Sequence, residues 1–413
     1  MGTKQLSRRA FLRSSVWTVL GTAVGCVAPE STSEPATATA TMPPPTETAA
    51  PTSTPEPTST PTTVPPTIGA STKEAPSSTP GPTATVPPEP TATTPPETPT
   101  SAPTATEPPP TPTPLVVTPS REDLLAHYPQ AGQSVVSLVH HEGVWSGDQI
   151  VDHAVLEMLD AALLQLTGLN DALGAWQVLF DPQETIGIKV NTISRYTTTP
   201  QVAYGVARRL QEAGVPAEQI VIFDRTDREL IDRGYTINVD GPGVRCRGAK
   251  SWDQPAKVTG TTQRIHDVML SCDALINIPA LKEHGISGFT SALKNHYGTI
   301  SNPGALHPRD CDPYIPDLNA LPVIRDKTRL VIGDFIRICP YGWERMVKEH
   351  KIAMSFDPVA HDFVARQVLL DRQEADGRVA GHIMGKSHYL DTAVGAGLGA
   401  DPDHTELRRI QLG

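Results

Sequence analysis

Three short lysine-containing sequences in this 413-residue chain could form a binding or catalytic site. They are Lys189-Val190-Asn191, Lys282-Glu283-His284 and Lys294-Asn295. In the first two, the outer polar residues lie two positions apart, so a β-strand would direct both to the same face. Lysine ammonium groups and asparagine amides suit a carboxylate or a phosphate. The pattern predicts a site for a small anionic ligand at Lys189, Asn191, Lys282, His284, Lys294 and Asn295.

Histidines and aspartates in the same half of the chain could bind a divalent metal such as Zn²⁺, Fe²⁺ or Mn²⁺. The candidates are His284, His307, Asp334, Asp357 and Asp362. They lack the His-Glu-x-x-His spacing that is typical of zinc enzymes. The alternative is structural: the histidines would bond to loop carbonyls, and Asp357, which precedes a proline, would cap a helix. His140-His141 is a weaker metal candidate.

The elements that would position these residues alternate between strands and helices. Apolar runs at 185–191, 219–224 and 274–281 predict strands, although Pro279 limits the last one. Amphipathic helices alternate with the strands: 148–166, for which Asp148 would be the cap, precedes the first of these strands, and 200–213 follows it. This alternation predicts an α/β fold with a mostly parallel sheet and helices on both faces in three layers. Ligand sites in such sheets lie beyond the carboxyl ends of the strands, where the three lysine-containing sequences fall.

The N-terminus has the pattern of an export signal. Arg8 and Arg9 precede an apolar segment at 16–24, which is too short to span a membrane. This pattern predicts export by the twin-arginine (Tat) machinery. Ala23-Val24-Gly25-Cys26 is similar to a lipobox, although alanine stands where leucine is usual. We therefore predict a signal peptide at 1–26, lipidation of Cys26, and anchoring on the outer face of the cytoplasmic membrane or on the cell surface. The alternative is a free secreted or periplasmic protein.

Residues 27–115 predict a disordered linker. They are almost entirely Pro, Thr, Ser, Ala and Glu, with no apolar periodicity. Such a segment cannot bury enough surface to offset the entropy of ordering. Its proline content favours an extended tether that would hold the α/β domain at 116–413 away from the membrane.

The charge and the cysteines exclude two classes of protein. The chain carries −11, and because the signal region contributes +4 and the linker −7, the domain at 116–413 carries −8. Nucleic-acid binding, which usually requires a basic surface, is therefore not expected. Four cysteines fall in the domain, far apart in sequence and without a Cys-x-x-Cys pair, so no zinc ribbon or iron–sulfur cluster is encoded. Disulfides are permitted in an exported protein. These cysteines are Cys246, Cys272, Cys311 and Cys339.

The domain resembles a family known as domain of unknown function 362 (DUF362). The resemblance covers 134–399 and is carried by the segments 186–191, 277–284, 291–295 and 357–362, with His307 and Asp334 at matching positions. It implies that Lys189, Asn191, Lys282, His284, Lys294 and Asn295 form the site, but it assigns them no roles. Some members of the family carry iron–sulfur cysteines in an added segment, which this chain lacks.

Three functions stay open from the sequence. The first is an enzyme or a binding protein for a small anion, in which a metal could assist. The second is a non-catalytic solute-binding or surface scaffold protein at the end of a stalk, which the linker supports equally well. The third is a redox-associated protein without its own iron–sulfur motif, because Tat export often serves proteins that acquire cofactors before export.

Overall fold

The structure is a computed structural model that describes residues 4–5, 120–125, 134–342, 345–379 and 381–413. The predicted twin arginines Arg8 and Arg9, the lipidation site Cys26 and the linker at 27–115 lie outside these described residues. No helix in the described part of the chain is both long and apolar enough to cross a membrane.

One mixed sheet of eleven strands organises the domain, in the order β1-β15-β2-β14-β13-β10-β5-β6-β7, with β11 paired to β13 and to β12. Two further hairpins, β3–β4 and β8–β9, stand outside it. The strands are β1 Lys4–Gln5, β2 Ser134–His141, β3 Trp145–Ser146, β4 Gln149–Ile150, β5 Ile186–Lys189, β6 Ile220–Phe223, β7 Arg245–Arg247, β8 Trp252–Val258, β9 Thr261–His266, β10 Ala274–Asn277, β11 Ala280–His284, β12 Gly288–Thr290, β13 Thr328–Cys339, β14 Val347–Ser355 and β15 Thr405–Leu412.

The α-helices connect these strands and cover the sheet. They are α1 Arg121–Leu125, α2 Asp152–Thr167, α3 Ala172–Leu179, α4 Pro200–Glu212, α5 Asp227–Ile231, α6 Asp267–Ser271, α7 Ala292–Asn295, α8 Tyr314–Asn319, α9 Pro322–Arg325, α10 Pro358–Ala375, α11 Gly381–Lys386 and α12 Tyr389–Gly395. Apolar residues of α2 and α4 belong to one core cluster, and those of α10 and α12 to a second. Adjacent strand residues, such as Leu275 and Ile276, fall in different clusters, so the sheet has a core on each face. The predicted α/β fold is confirmed.

The central parallel strands align their last residues in one row. In the register of β10, β5 and β6, Asn277 pairs with Lys189, and Lys189 pairs with Phe223. Nearly every residue of these strands is buried, as expected for parallel strands covered on both faces. This row therefore presents the polar ends Lys189 and Asn277 at one edge of the sheet.

Pro279 divides the predicted strand at 274–281 into β10 and β11. Proline has no N–H to donate to a ladder, and its carbonyl instead accepts from the backbone N–H of Asp334 at 3.0 Å. The long strand β13 pairs first with β10 and then with β11. Lys282 and His284 consequently lie within a strand, β11, rather than in a loop after a strand.

Two other predicted elements differ from the structure. The helix predicted from Asp148 begins at Asp152 without a side-chain cap, because Gln149–Ile150 pairs in a short hairpin first. The glycine-rich sequence at 240–260 predicts an irregular stretch, but these residues contain β7 and the whole of β8. The four cysteines of the domain are buried free thiols.

Candidate functional site

A cavity of about 340 Å³ opens at the carboxyl edge of β5 and β6. All six residues of the sequence-predicted site line it, and so does His307. We call the group Lys189, Asn191, Asp224, Lys282 and Asn295 the floor of the cavity, and the group His284, Lys294, Tyr297 and His307 its wall. The floor comes from the ends of β5 and β6, from β11 and from the last residue of α7, whereas the wall comes mostly from the chain between β11 and α8.

A buried ion pair lies at the centre of the floor. The ammonium of Lys189 is 2.8 Å from Asp224 Oδ1, and the two side chains are 1% and 5% exposed. The other carboxylate oxygen of Asp224 accepts from the backbone N–H of Thr192 at 2.6 Å and from its hydroxyl at 2.7 Å. Lys189 Nζ also contacts Asn295 Oδ1 at 3.3 Å. These contacts leave both charges compensated by protein groups.

Lys282 is held by oxygens of the chain that crosses the cavity. Its Nζ donates to Asn191 Oδ1 at 2.7 Å and to the carbonyls of Ile193 and Tyr196 at 2.8 and 2.9 Å, and it lies 3.2 Å from Ser194 Oγ. Burial lowers the pKa of Lys282 to about 7. The surrounding oxygens oppose that shift, because an ammonium can satisfy three acceptors and a neutral amine only two. We therefore interpret Lys282 as an ammonium that fixes residues 191–196.

The two asparagines link the floor into one network. Asn191 Nδ2 donates to Asn295 Oδ1 at 3.0 Å, and Asn295 Nδ2 donates to Asn277 Oδ1 at 2.7 Å. The backbone at Gly298 packs against this network. A Cβ atom at this position would lie 2.3 Å from Asp224 Oδ1 and 2.8 Å from Lys189 Nζ. Only glycine allows the backbone to approach the ion pair this closely.

Lys294 on the wall has fewer partners than the floor lysines. Its Nζ lies 3.7 Å from the centroid of the Tyr297 ring and 3.4 Å from His307 Nε2. Its side chain is buried, which lowers its pKa to about 8. Among the described residues, no carboxylate lies within ion-pair distance of this ammonium. The contacts leave N–H donors of Lys294 available to a molecule in the cavity.

Hydrogen bonds define the tautomers of the two wall histidines. His307 Nδ1 faces the carbonyl of Pro303 at 3.0 Å and must donate to it, so Nε2 carries the lone pair. His284 Nδ1 accepts from the backbone N–H groups of Ile286 and Ser287, both at 3.2 Å, so its Nε2 carries the hydrogen. The rings stack with centroids 5.7 Å apart. Burial lowers the pKa of both, that of His284 to about 3, which favours neutral rings.

The three predicted aspartates do not line the cavity. Asp334 accepts from the backbone N–H and the hydroxyl of Thr199, both at 2.7 Å. Asp357 caps α10 by accepting from the N–H groups of its first turn, as its proposed structural role required. Asp362 accepts from the N–H groups of Ala292 and Leu293 at the start of α7. Each carboxylate is thus bonded to backbone donors.

The histidines of the wall do not form a three-ligand metal cluster within the described ranges. Within those ranges, one group of three suitable donors lies close together, namely His140, Glu142 and His350, outside the cavity. A metal at His284 and His307 would therefore need its other ligands from a bound molecule or from water.

The sequence interpretation missed part of the lining. Arg225 and Glu229 form an ion pair at the cavity rim, and Tyr297 contributes its ring to the wall. The sequence does indicate Asp224 as a polar residue at a strand end on the same edge as Lys189, but nothing in it indicates that the two side chains form an ion pair. The positions of Arg225, Glu229 and Tyr297 depend on how the connecting loops fold, and no local spacing indicates them.

The fold and the cavity define an α/β protein with a charged site at the carboxyl edge of a mixed, mostly parallel sheet. Residues 186–367 match the family model described as Domain of unknown function (DUF362), which supports the resemblance seen in the sequence. A search of curated proteins gives no match.

Two solved structures are similar over part of the chain. One is the lactate racemase apoprotein from Thermoanaerobacterium thermosaccharolyticum, with 11% identity and a TM-score of 0.33 over 56% of this chain and 56% of that one. The other is a protein from Thermotoga maritima, with 12% identity and a TM-score of 0.33 over 56% of this chain and 60% of that one. The chain thus covers less than two thirds of either protein.

Proposed function

We propose that the cavity binds a small anionic molecule that carries a carboxylate or a phosphate group. The observation that carries this proposal is Lys294, a buried ammonium with spare donors that faces the cavity and has no carboxylate partner among the described residues. A buried charge is costly unless it is paired and hydrogen-bonded. An anion in the cavity would supply both the charge and the acceptors.

The balance of charge around the cavity supports an anion over a cation. Lys189 is paired with Asp224, and Arg225 with Glu229. Lys282 is surrounded by neutral oxygens, so within the described part of the chain its positive charge and that of Lys294 have no carboxylate in contact. The N–H of His284 Nε2 adds a further donor on the same wall. A carboxylate or phosphate can use several such donors at once.

The test is calorimetric titration of the full chain with phosphate, acetate and malonate. We expect at least one of these probes to bind, and Lys294→Met to weaken its binding by about tenfold or more, because a charge-assisted hydrogen bond is lost. Lys250→Met is the matched control, since Lys250 is an exposed lysine outside the cavity. Equal affinities of the wild type and Lys294→Met would contradict the proposal.

A second candidate function is proton transfer to or from the bound anion. It is favoured by the wall, where His307 Nε2 presents a lone pair 3.4 Å from the ammonium of Lys294. A positioned general base of this kind contributes about 10²–10⁴-fold to a rate. Deuterium exchange into carboxylic acids that bind, followed by NMR in D₂O, should fall by about 100-fold in His307→Gln. Binding without exchange would favour the solute-binding alternative.

The N-terminal sequence further supports the proposal that the protein is exported and anchored to a membrane. The twin arginines Arg8 and Arg9 would direct export by the Tat machinery, and Cys26 would be lipidated and anchor the linker to a membrane. Arg8→Lys with Arg9→Lys should retain the protein in the cytoplasm. Mass spectrometry of the exported chain should show Cys26 as a lipidated first residue, and an unmodified N-terminus would contradict the anchor.

A further inference from the structure

His140, Glu142 and His350 converge away from the cavity, at the end of β2. One potential ligand atom from each of the three residues lies within 4.8 Å of the others. None of them lines the cavity at the carboxyl edge of β5. They are therefore a separate cluster of two imidazoles and one carboxylate.

The fold brings the three together through a β-bulge. In the antiparallel pair of β13 and β14, Phe335 pairs with Lys351 and Arg337 with Lys348, so two residues of β14 face the single residue Ile336. A bulge of this kind redirects side chains. His350 is one of the two bulged residues, and its φ of 57° is in the left-handed region that few residues other than glycine adopt.

The other two donors come from the neighbouring strand. His140 lies on β2 opposite Lys351 of β14, and Glu142 begins the single 3₁₀ turn that follows β2. The carboxylate oxygen Oε1 of Glu142 is 3.8 Å from His140 Nδ1. Sequence separation between His350 and the other two donors is about 210 residues, which explains why no local spacing indicates the cluster.

The hydrogen bonding of the cluster is incomplete. His350 Nδ1 is a buried nitrogen with no hydrogen-bond partner among the described residues. The ring of His350 instead stacks on that of His140, with centroids 5.7 Å apart and planes at 13°. A buried polar atom without a partner costs about 1–3 kcal/mol, and such atoms in a structure call for an explanation such as an ion.

We propose that His140, Glu142 and His350 bind a divalent first-row transition metal. Two imidazole nitrogens with one carboxylate oxygen suit Zn²⁺, Co²⁺ or Ni²⁺, whereas Mg²⁺ and Ca²⁺ prefer oxygen ligands alone. Tetrahedral ligands at the usual bond lengths lie about 3.3 Å apart, so ligand atoms that lie within 4.8 Å of one another must approach by up to about 1.5 Å on binding. The remaining coordination positions belong to water.

Gln411 is placed to control access to this site. Its Nε2 donates to His140 Nδ1 at 2.7 Å and lies 3.5 Å from Glu142 Oε1. The amide hydrogen of Gln411 thus occupies the lone pair of His140 Nδ1, the nitrogen that faces the carboxylate of Glu142. A metal can bind this nitrogen only if it displaces the Gln411 amide. Gln411 is consequently a positioning residue, and its removal should strengthen metal binding rather than weaken it.

The test is titration of the chelator-treated full chain with Zn²⁺ by calorimetry, repeated with Co²⁺ by visible absorption. We expect one Zn²⁺ equivalent that His140→Ala or His350→Asn weakens by about 100-fold or more, because each removes one of three protein ligands. Asparagine at position 350 tolerates the left-handed backbone, so this variant should fold. Gln411→Ala should bind Zn²⁺ at least as tightly as the wild type does.

The controls separate this site from other histidines. His153→Ala removes an exposed histidine that pairs with Glu157, and it should bind Zn²⁺ as the wild type does. His284→Ala tests for a metal in the cavity. The proposal is wrong if His140→Ala and His350→Asn, with unchanged thermal unfolding, bind Zn²⁺ with wild-type affinity, or if the equivalent is lost in His284→Ala alone.

Discussion

The floor and the wall of the cavity contain similar side chains but use them differently. On the floor, Lys189 and Lys282 direct their ammonium groups at a carboxylate and at several protein oxygens within hydrogen-bonding distance. On the wall, Lys294 is equally buried but meets an aromatic ring and a single imidazole nitrogen. All three lysines are at most 5% exposed, so burial does not distinguish them.

This difference separates residues that build the site from residues that can contact a ligand. A donor already bonded to protein must give up that bond before it can bind an anion, and the exchange yields little net free energy. A donor without such a bond gains the whole interaction. The floor should therefore determine stability, and the wall should determine binding.

The largest effect is expected on removal of the floor carboxylate. Asp224→Ala leaves the ammonium of Lys189 buried without its partner, and breaking a buried pair in this way costs about 3–5 kcal/mol. Urea unfolding should measure this loss of stability. Asp232→Ala, which removes an exposed partner of Arg228, should change stability by less than about 1 kcal/mol. Similar losses of stability in the two variants would contradict the hypothesis that the floor determines the stability of the protein.

The two other lysines should separate stability from binding. Lys282→Met leaves the carbonyls of Ile193 and Tyr196 without a donor and should cost about 1–3 kcal/mol. Lys294→Met should leave the free energy of unfolding unchanged or raise it, because it removes a desolvated charge. Urea unfolding of the two variants side by side checks this difference. A larger loss of stability in Lys294→Met than in Lys282→Met would reverse the assignment of floor and wall.

Crowding of the ion pair should have an effect of similar or smaller size. Gly298→Ala places a methyl group against Asp224 and Lys189 and should cost about 1–3 kcal/mol through forced displacement. Gly285→Ala is the matched control in the neighbouring segment, because a Cβ there meets no atom within 4 Å. Thermal unfolding measures both. Equal melting temperatures for the two variants would show that the backbone at 298 can move away from the floor.

Per pH unit, the smallest effect is a gradual dependence of stability on pH. Burial lowers the pKa of Lys294 from 10.5 to about 8, so the folded state holds fewer protons than the unfolded state between these values. The destabilising contribution of Lys294 is complete below pH 8 and disappears as pH approaches 10.5. Wild-type stability should therefore rise relative to Lys294→Met across this interval, by at most about 1.4 kcal/mol per pH unit. A stability difference between the wild type and Lys294→Met that stays constant with pH would show that the pKa of Lys294 is not lowered by burial.

The sequence indicated where the floor residues lie more directly than it indicated what the wall residues contact. Lys189, Asn191 and Lys282 follow apolar runs, and the geometry of a parallel sheet brings such residues to one edge without knowledge of the loops. Pro279 indicated a limit to its strand but not that β13 would bridge the gap to β11. Whether Lys294 would find a carboxylate depended on contacts between distant loops, and local spacing contains no information about such contacts.

The aspartates predicted as metal ligands show the same limit of sequence-based prediction. Asp334 and Asp362 follow patterns that suit metal ligands, but backbone N–H groups compete for the same oxygens. In this fold, Thr199 and the first turn of α7 supply those N–H groups. The competition is decided by tertiary packing, so the residue types alone could not resolve it.

Asp362 makes the cavity dependent on the order in which the chain is synthesised. Its carboxylate holds Ala292 and Leu293, the residues immediately before Lys294, although it follows them by about 70 positions. The ribosome synthesises α10 after all residues of the floor and the wall. The hydrogen bonds from α7 to Asp362 can therefore form only after α10 has left the ribosome. A chain truncated before α10 would thus contain the floor and wall residues without the carboxylate that supports the wall.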